Sequence, residues 1–206
     1  MMPALERTDG ERIDALEARI ARLEARQAIA DLVTLYAVAC DEHDMATLMD
    51  LFTEDAVFTS PSGMMMADGR HAIEEMFVNL FKVRGPAYHW THDHIITVDA
   101  DDPTMAKGRI YSHAETSPHG VTSLAAMRYD DVYRCEDGRW RFQSRDIHFL
   151  YYVPAKDFAE ALTRPDRLVV GETRFPADYP EPLASWIAFE TDTKAHAQNA
   201  HKGRET

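Results

Sequence analysis

Basic charge is scarce in this chain. Its 206 residues carry 22 lysines and arginines against 35 aspartates and glutamates, a net charge of −13. A field of that sign repels duplex nucleic acid and anionic membrane surfaces, so neither is expected as a partner. Long apolar runs are missing too. Nothing approaches the ~20 residues needed to span a bilayer, and Glu6, Arg7 and Asp9 charge the first residues, so neither a secretory leader nor a membrane helix is expected. The two cysteines, Cys40 and Cys135, do not suggest a disulfide framework, which makes a reducing cytoplasm the default location. No glycine loop for cradling phosphate, no dinucleotide fingerprint and no serine nucleophile elbow can be found. Any chemistry is therefore expected to need no cofactor, and a small neutral or weakly polar ligand is expected rather than a nucleic acid.

The hydrophobic share of 45% suits one soluble core, with the rest of the length as extensions. Thr8 and Glu11 match a capping box, which starts a helix. Ile13, Leu16, Ile20 and Leu23 follow at spacings of three and four, a seam that packs either on its own domain or on another subunit. The helix continues through Ile29, Leu32, Val33, Tyr36 and Cys40 and runs out near Asp41 to Asp44. Asp44 caps a second short helix holding Leu48, Leu51 and Phe52. A strand from Ala56 to Thr59, a Ser60–Gly63 turn and a return strand over Met64 to Met66 lead to a helix from Arg70 to Lys82.

Four longer strands come next: Ala87–Val98, Thr104–Thr116, Val121–Arg134 and Arg139–Val153. Asp137-Gly138 marks the last hairpin, and a change of apolar parity from Ile147 predicts a bulge or bend. The expected divisions are a flexible 1–12, one domain over 13–153, an extension over 154–190 packing on the body or a neighbour through Trp186, Ile187 and Phe189, and a disordered 191–206. Helices first, then a helix inserted into a run of antiparallel strands, is an α+β arrangement in which a curved sheet wraps over helices.

The densest chemistry lies in Tyr88–His94, where His89, His92 and His94 fall within six residues. Spacing alone favours the plainer readings: His89 as a core histidine and Asp41 as a helix-end residue. His92 and His94, two apart on a strand, would share a face and form a His-x-His pair, with His148 or Asp93 as completing ligands. No third ligand is in register, so the pair is read as surface or packing residues and no metal is assigned. Cys40 has no sequence neighbour that would make it a thiolate.

From about Ile13 to Tyr152 the chain resembles the SnoaL-like group of the nuclear transport factor 2 superfamily, which are cone-shaped α+β barrels. Within that group it is most similar to scytalone dehydratase, the bile-acid 7α-dehydratase and the hexachlorocyclohexane dehydrochlorinase. The resemblance places the family's helix-end aspartate on Asp41, its helix tyrosine on Tyr36, its strand histidine on His89 and a second histidine on His113. Where the family often has an asparagine after the strand histidine, this chain has Asp93, and the third-strand asparagine falls near Tyr129.

The resemblance implies a cofactor-free, dehydratase-type lyase acting on an aromatic or polycyclic molecule. His89 would be the base and Asp41 its orienter, with His113 and a tyrosine (Tyr36, Tyr111 or Tyr129) assisting the leaving group or a developing enolate. Trp90, Tyr111, Tyr129, Phe58, Met64 and His148 are the expected substrate contacts; Arg145 and Asp146 are read either as cavity residues or as a surface ion pair. The same site could instead cleave a C–C bond with loss of a small aldehyde, or move a double bond. A non-catalytic binding or assembly subunit is the alternative from another class. Homo-oligomers, trimers ahead of dimers, are implied by the same relatives.

Overall fold

A computed structural model describes residues 8–202, with side chains through residue 193. The helix α1 (Asp9–Glu42) opens on the Thr8/Glu11 capping box: the Glu11 N–H donates to Thr8 Oγ1 at 3.2 Å and the Thr8 N–H to Glu11 Oε2 at 2.7 Å. Because that box satisfies the first amides, helix begins at Asp9 rather than after residue 12. Residues 1–7 of the expected flexible stretch lie outside the described residues.

The two halves of α1 differ. Ile13, Leu16, Ile20 and Leu23 are 53–65% exposed, so their own domain does not cover them. From Ile29 onward the stripe of Leu32, Val33, Tyr36 and Cys40 is buried, and the helix packs across the strand that carries the histidines. It stops where His43 turns left-handed (φ 56) and Asp44 caps α2 (Met45–Asp50), accepting the Thr47 N–H at 3.1 Å.

Strand β1 (Phe52–Thr59) begins at Phe52, not Ala56, and its return strand β2 (Ala67–Asp68) falls just beyond the methionines. Helix α3 (Arg70–Arg84) is followed by four long strands, β3 (Tyr88–Val98), β4 (Met105–Thr116), β5 (Ser123–Glu136) and β6 (Arg139–Pro154). These form an antiparallel meander, β1 joins β6 in parallel, and the sheet order is β2-β1-β6-β5-β4-β3. Asp137 (φ 52) and Gly138 (φ 75) make the mirror-image turn that Asp-Gly favours between twisted strands. The result is a curved, unclosed, mostly antiparallel sheet over N-terminal helices. The core lies between them, with Phe52, Phe58, Phe77, Ile110, Tyr133 and Phe142 at or near zero exposure.

Bulges set which side chains face that core. On β3, His92 stands opposite Tyr111 but Ile95 opposite Arg109, so one residue is extra, and Asp93 absorbs it at φ 52. The change of face expected at Ile147 comes earlier on β6, between Phe142 and Ser144, and a second bulge separates Phe149 from Tyr151.

The C-terminal segment returns to the sheet. After a 3₁₀ stretch (Ala155–Thr163), β7 (Leu168–Val170) pairs in parallel with β6 and antiparallel with β8 (Thr173–Phe175). Arg167, 3% exposed, ties this segment down by donating to Leu150 O, to Tyr179 O and to both Glu181 carboxylate oxygens. Helix α4 (Ala184–Lys202) then carries Trp186, Ile187 and Phe189, 44–69% exposed. Disorder was expected from residue 191 on polar composition; alanine, lysine and glutamine are good helix formers, and the chain is helical to Lys202. No helix among the described residues is long and apolar enough to cross a membrane.

Candidate active site

The end of α1 meets the start of β3. Asp41, one residue short of the helix end, grips His89 twice: its Oδ2 accepts the His89 backbone N–H at 2.9 Å, and its Oδ1 lies 2.6 Å from His89 Nδ1. The two side chains are only 15% and 5% exposed. An ionised carboxylate can only accept, so Nδ1 carries the proton. With Nδ1 donating, the neutral tautomer of the ring offers an unprotonated Nε2, for which no hydrogen-bond partner exists among the described residues.

His89 lines a cavity of about 780 Å³ enclosed by the sheet, α1 and α3. Its walls are mostly apolar: Phe77, Leu80 and Val83 from α3, Met127, Ile147 and Phe149 from the strands, and Met64 and Met65 from the β1–β2 loop. Ala114, Thr116, Ser123 and Ala125 supply the space, because small inward residues leave room where large ones would fill the cone. Val169, Val170 and Gly171 of the β7–β8 hairpin complete the wall, so the C-terminal segment forms part of the cavity. Polar groups reaching it include Tyr36, Tyr129, Arg84, and Thr116 with Tyr152, whose hydroxyls are 2.9 Å apart. Burial holds the Tyr36 phenol well above its ordinary range, so it stays a proton donor at all ordinary pH. Burial also pushes the adjacent Cys40 thiol up to about 11, which removes it as a nucleophile.

Of the residues expected at the site, His89, Asp41, Tyr36, Tyr129 and Met64 are brought together, the cavity being lined by all but Asp41. The others are not. His113 pairs with Trp90 across β3 and β4 on the outer face, while their neighbours His89 and Ala114 pair on the inner one. The exposed His113 ring instead meets His92, Nδ1 to Nε2 at 3.0 Å. Tyr111, opposite His92, shares that outer face. His148 is turned outward by the first β6 bulge, and its Nε2 lies 2.9 Å from Asp146. Phe58 is wholly buried against Phe52 and Phe77, behind the cavity wall.

The Asp93 bulge also separates His92 from His94. His92 stays outside, while His94 turns in, with Nε2 3.3 Å from Tyr133 Oη. A His-x-His pair sharing one face is thus not formed.

Arg145, expected either in the cavity or at the surface, is in neither place. It is 1% exposed and donates to both oxygens of the buried Asp131, at 3.0 and 2.9 Å. Its Cζ lies 4.1 Å from each of the Tyr36, Tyr129 and Phe142 ring centres, a cation held in an aromatic cage. Burial alone would lower its affinity for the proton, but Asp131 more than offsets that, and the guanidinium remains charged. Tyr133 donates to Asp131 at 2.9 Å, so the network continues to His94.

Burial lowers the His94 pKa from 6.5 to about 4, aided by the Arg145 charge. A histidine kept neutral by the fold contributes stability above its unfolded pKa and loses it as the pH falls through its folded one. Chemical denaturation should therefore show stability declining between pH 6.5 and about 4. His94→Gln should flatten that interval; an unchanged slope would contradict the assignment.

A curved, unclosed, mostly antiparallel sheet over N-terminal helices is the cone of the nuclear transport factor 2-like class. The chain belongs to the SnoaL-like family, whose domain matches residues 21–146, more than half its length. Solved structures agree in fold. A protein from Novosphingobium aromaticivorans assigned as a scytalone dehydratase is 21% identical over 66% of this chain and 91% of its own, with a TM-score of 0.60. The hexachlorocyclohexane dehydrochlorinase LinA-type3 of Novosphingobium barchaimii is 19% identical (66% and 93% covered, TM-score 0.60). A protein assigned as an aromatic ring hydroxylase, also from N. aromaticivorans, is 28% identical (66% and 97% covered, TM-score 0.60). No curated protein matches the chain.

Two groups, one at the cavity wall and one in the core, escaped the sequence reading. Arg84 lies two residues past the expected helix end at Lys82, and no local pattern places it at a cavity. Asp131 lay in a strand next to Asp130, with nothing in the spacing to pair it with Arg145.

Proposed function

We propose that the protein is a cofactor-independent lyase of dehydratase type, acting on a small, largely hydrophobic, aromatic or polycyclic molecule. The observation that carries this reading is the His89–Asp41 pair, with Nε2 unpartnered and His89 lining the cavity. A binding subunit has no need of a carboxylate-fixed imidazole; an elimination needs a base for the C–H proton and an acid for the leaving oxygen. In this account His89 Nε2 takes the proton next to an activating carbonyl and the ring becomes an imidazolium stabilised by Asp41. The Tyr36 or Tyr129 hydroxyl donates to the developing enolate oxygen. His89 can then return its proton to the departing hydroxyl, which leaves as water. His113 has no part in this scheme. Names of relatives such as scytalone dehydratase and hexachlorocyclohexane dehydrochlorinase support elimination as the reaction class.

The test is incubation with a panel of β-hydroxy-carbonyl and hydroxylated aromatic compounds, with products identified by mass. Loss of water is expected. Release of an aldehyde or an isomer of unchanged mass would reassign the reaction at the same site, and no turnover across the panel would favour the binding-subunit reading.

The protein is further proposed to self-associate, as a trimer in preference to a dimer. Support comes from the exposed Ile13, Leu16, Ile20 and Leu23 on α1 and Trp186 and Phe189 on α4. Sedimentation of the chain lacking residues 1–25 should show a smaller assembly; an unchanged mass would remove α1 from the contact.

A further inference from the structure

The cavity wall carries a cation, Arg84, to which no described residue supplies a counter-charge. Arg84 is the last residue of α3, is half-buried and lines the cavity wall. Its Nη1 is buried and has no hydrogen-bond partner among the described residues. Other inward or half-buried arginines carry a carboxylate: Arg145 has Asp131, Arg128 has Asp130, Arg167 has Glu181 and Arg141 has Asp50. For Arg84 the described residues supply no carboxylate; its guanidinium only approaches the Phe81 ring, 5.9 Å from the centroid.

The backbone that carries this side chain is held in place. The Arg84 carbonyl accepts the Ser117 N–H at 3.2 Å and the Ser117 hydroxyl at 3.3 Å, clamping the helix end to the loop at the cavity rim. Gly85 makes that clamp fit: it turns away at φ 60, and a Cβ there would come within 2.6 Å of Ser117 Oγ. The Arg84 charge is felt at the cavity floor, where it opposes the upward push of burial on Tyr36, Cys40 and Tyr129. Leaving a guanidinium donor buried and unbonded is costly, and a ligand that accepts from it removes the cost.

We propose that Arg84 is the anion-recognition residue of this cavity, receiving a carboxylate carried by an otherwise apolar substrate and so fixing which part of that substrate faces His89. A carboxylate fits for two reasons. The guanidinium fork matches its two oxygens. The surrounding walls are apolar, so the bond is little weakened by water. The inference rests on the cavity being the substrate site, but not on which elimination takes place there.

The test is equilibrium binding of 2-naphthoate and its neutral counterpart 2-naphthamide to the full chain, read by titration calorimetry. Wild type should bind naphthoate roughly tenfold or more tightly than the amide, the scale of a charge-assisted bond. Arg84→Gln should erase the preference and Arg84→Lys should keep part of it. Equal affinity of the two probes for wild type would overturn the proposal whether or not the variants fold, as would a preference that survives in Arg84→Gln. His89→Ala should leave the preference intact. A naphthoate preference without turnover of any panel compound would therefore sink the lyase reading while sustaining the role of Arg84.

Discussion

Asp131→Asn should lower the melting temperature by roughly 6–20 °C. That follows from about 3–5 kcal/mol for breaking a buried ion pair and about 2–4 °C per kcal/mol in a chain of this size. The reason is geometric. Asp131 is 3% exposed and receives both forks of Arg145, and Tyr133 adds a third donor. With asparagine in its place, Arg145 keeps its charge, its burial and its cage of Tyr36, Tyr129 and Phe142 rings, but loses the anion that balances it. Arg109→Gln is the control: Arg109 is about half exposed, and Asp130 keeps Arg128 when it is lost, so the change should cost at most ~1 kcal/mol. Replacing both members of the pair, Asp131→Leu with Arg145→Met, should recover much of the loss, since a packed apolar pair avoids desolvating two charges. Thermal melts of the three variants check this. A shift as small for Asp131→Asn as for Arg109→Gln would contradict the account of the pair.

Asp41→Asn should cost activity rather than fold. Asp41 accepts twice, from the His89 backbone and from Nδ1. An asparagine side chain has one acceptor oxygen. If that oxygen keeps the backbone bond, its NH₂ faces Nδ1, which must then accept and give up its proton. The proton moves to Nε2, and the nitrogen facing the cavity is no longer a base. The turnover number is expected to fall by roughly 10²–10⁴, the scale on which a misplaced tautomer and a lost general base act. The fold should survive, and nitrogen NMR of His89 should show the protonated position switching from Nδ1 to Nε2. Wild-type turnover in Asp41→Asn would mean that the carboxylate is only a helix-end latch.

The elements were legible in the sequence because each carried its own local signal. The capping box, the Asp-Gly turn and the spacing of Ile73, Phe77 and Leu80 act over a few residues, and the structure places helix or turn at each. Asp41 and His89 were legible from the family resemblance, as a helix end and a strand start. What could not be read was facing. One extra residue at Asp93 sends His94 inward after His92 has pointed outward, and a bulge near Gln143 puts Arg145 in the core and His148 outside. A side-chain alternation of two turns every such insertion into a reversal for all that follows. His113 illustrates the same limit: the alternation of Ile110, Ser112, Ala114 and Thr116, all nearly fully buried, places it outward, and that signal was available in the small residues around it. The contributions of Arg84 and the β7–β8 hairpin depend on contacts far apart in the chain, which no local pattern encodes.

The most direct test compares kcat/KM of wild type and His89→Ala, with EDTA present, on whichever panel compound turns over. Wild-type activity that survives the chelator and falls by roughly a hundredfold or more in His89→Ala, with an unchanged melting temperature, is the predicted result. Equal activity in the two proteins would contradict His89 as the base, however well the cavity fits the substrate.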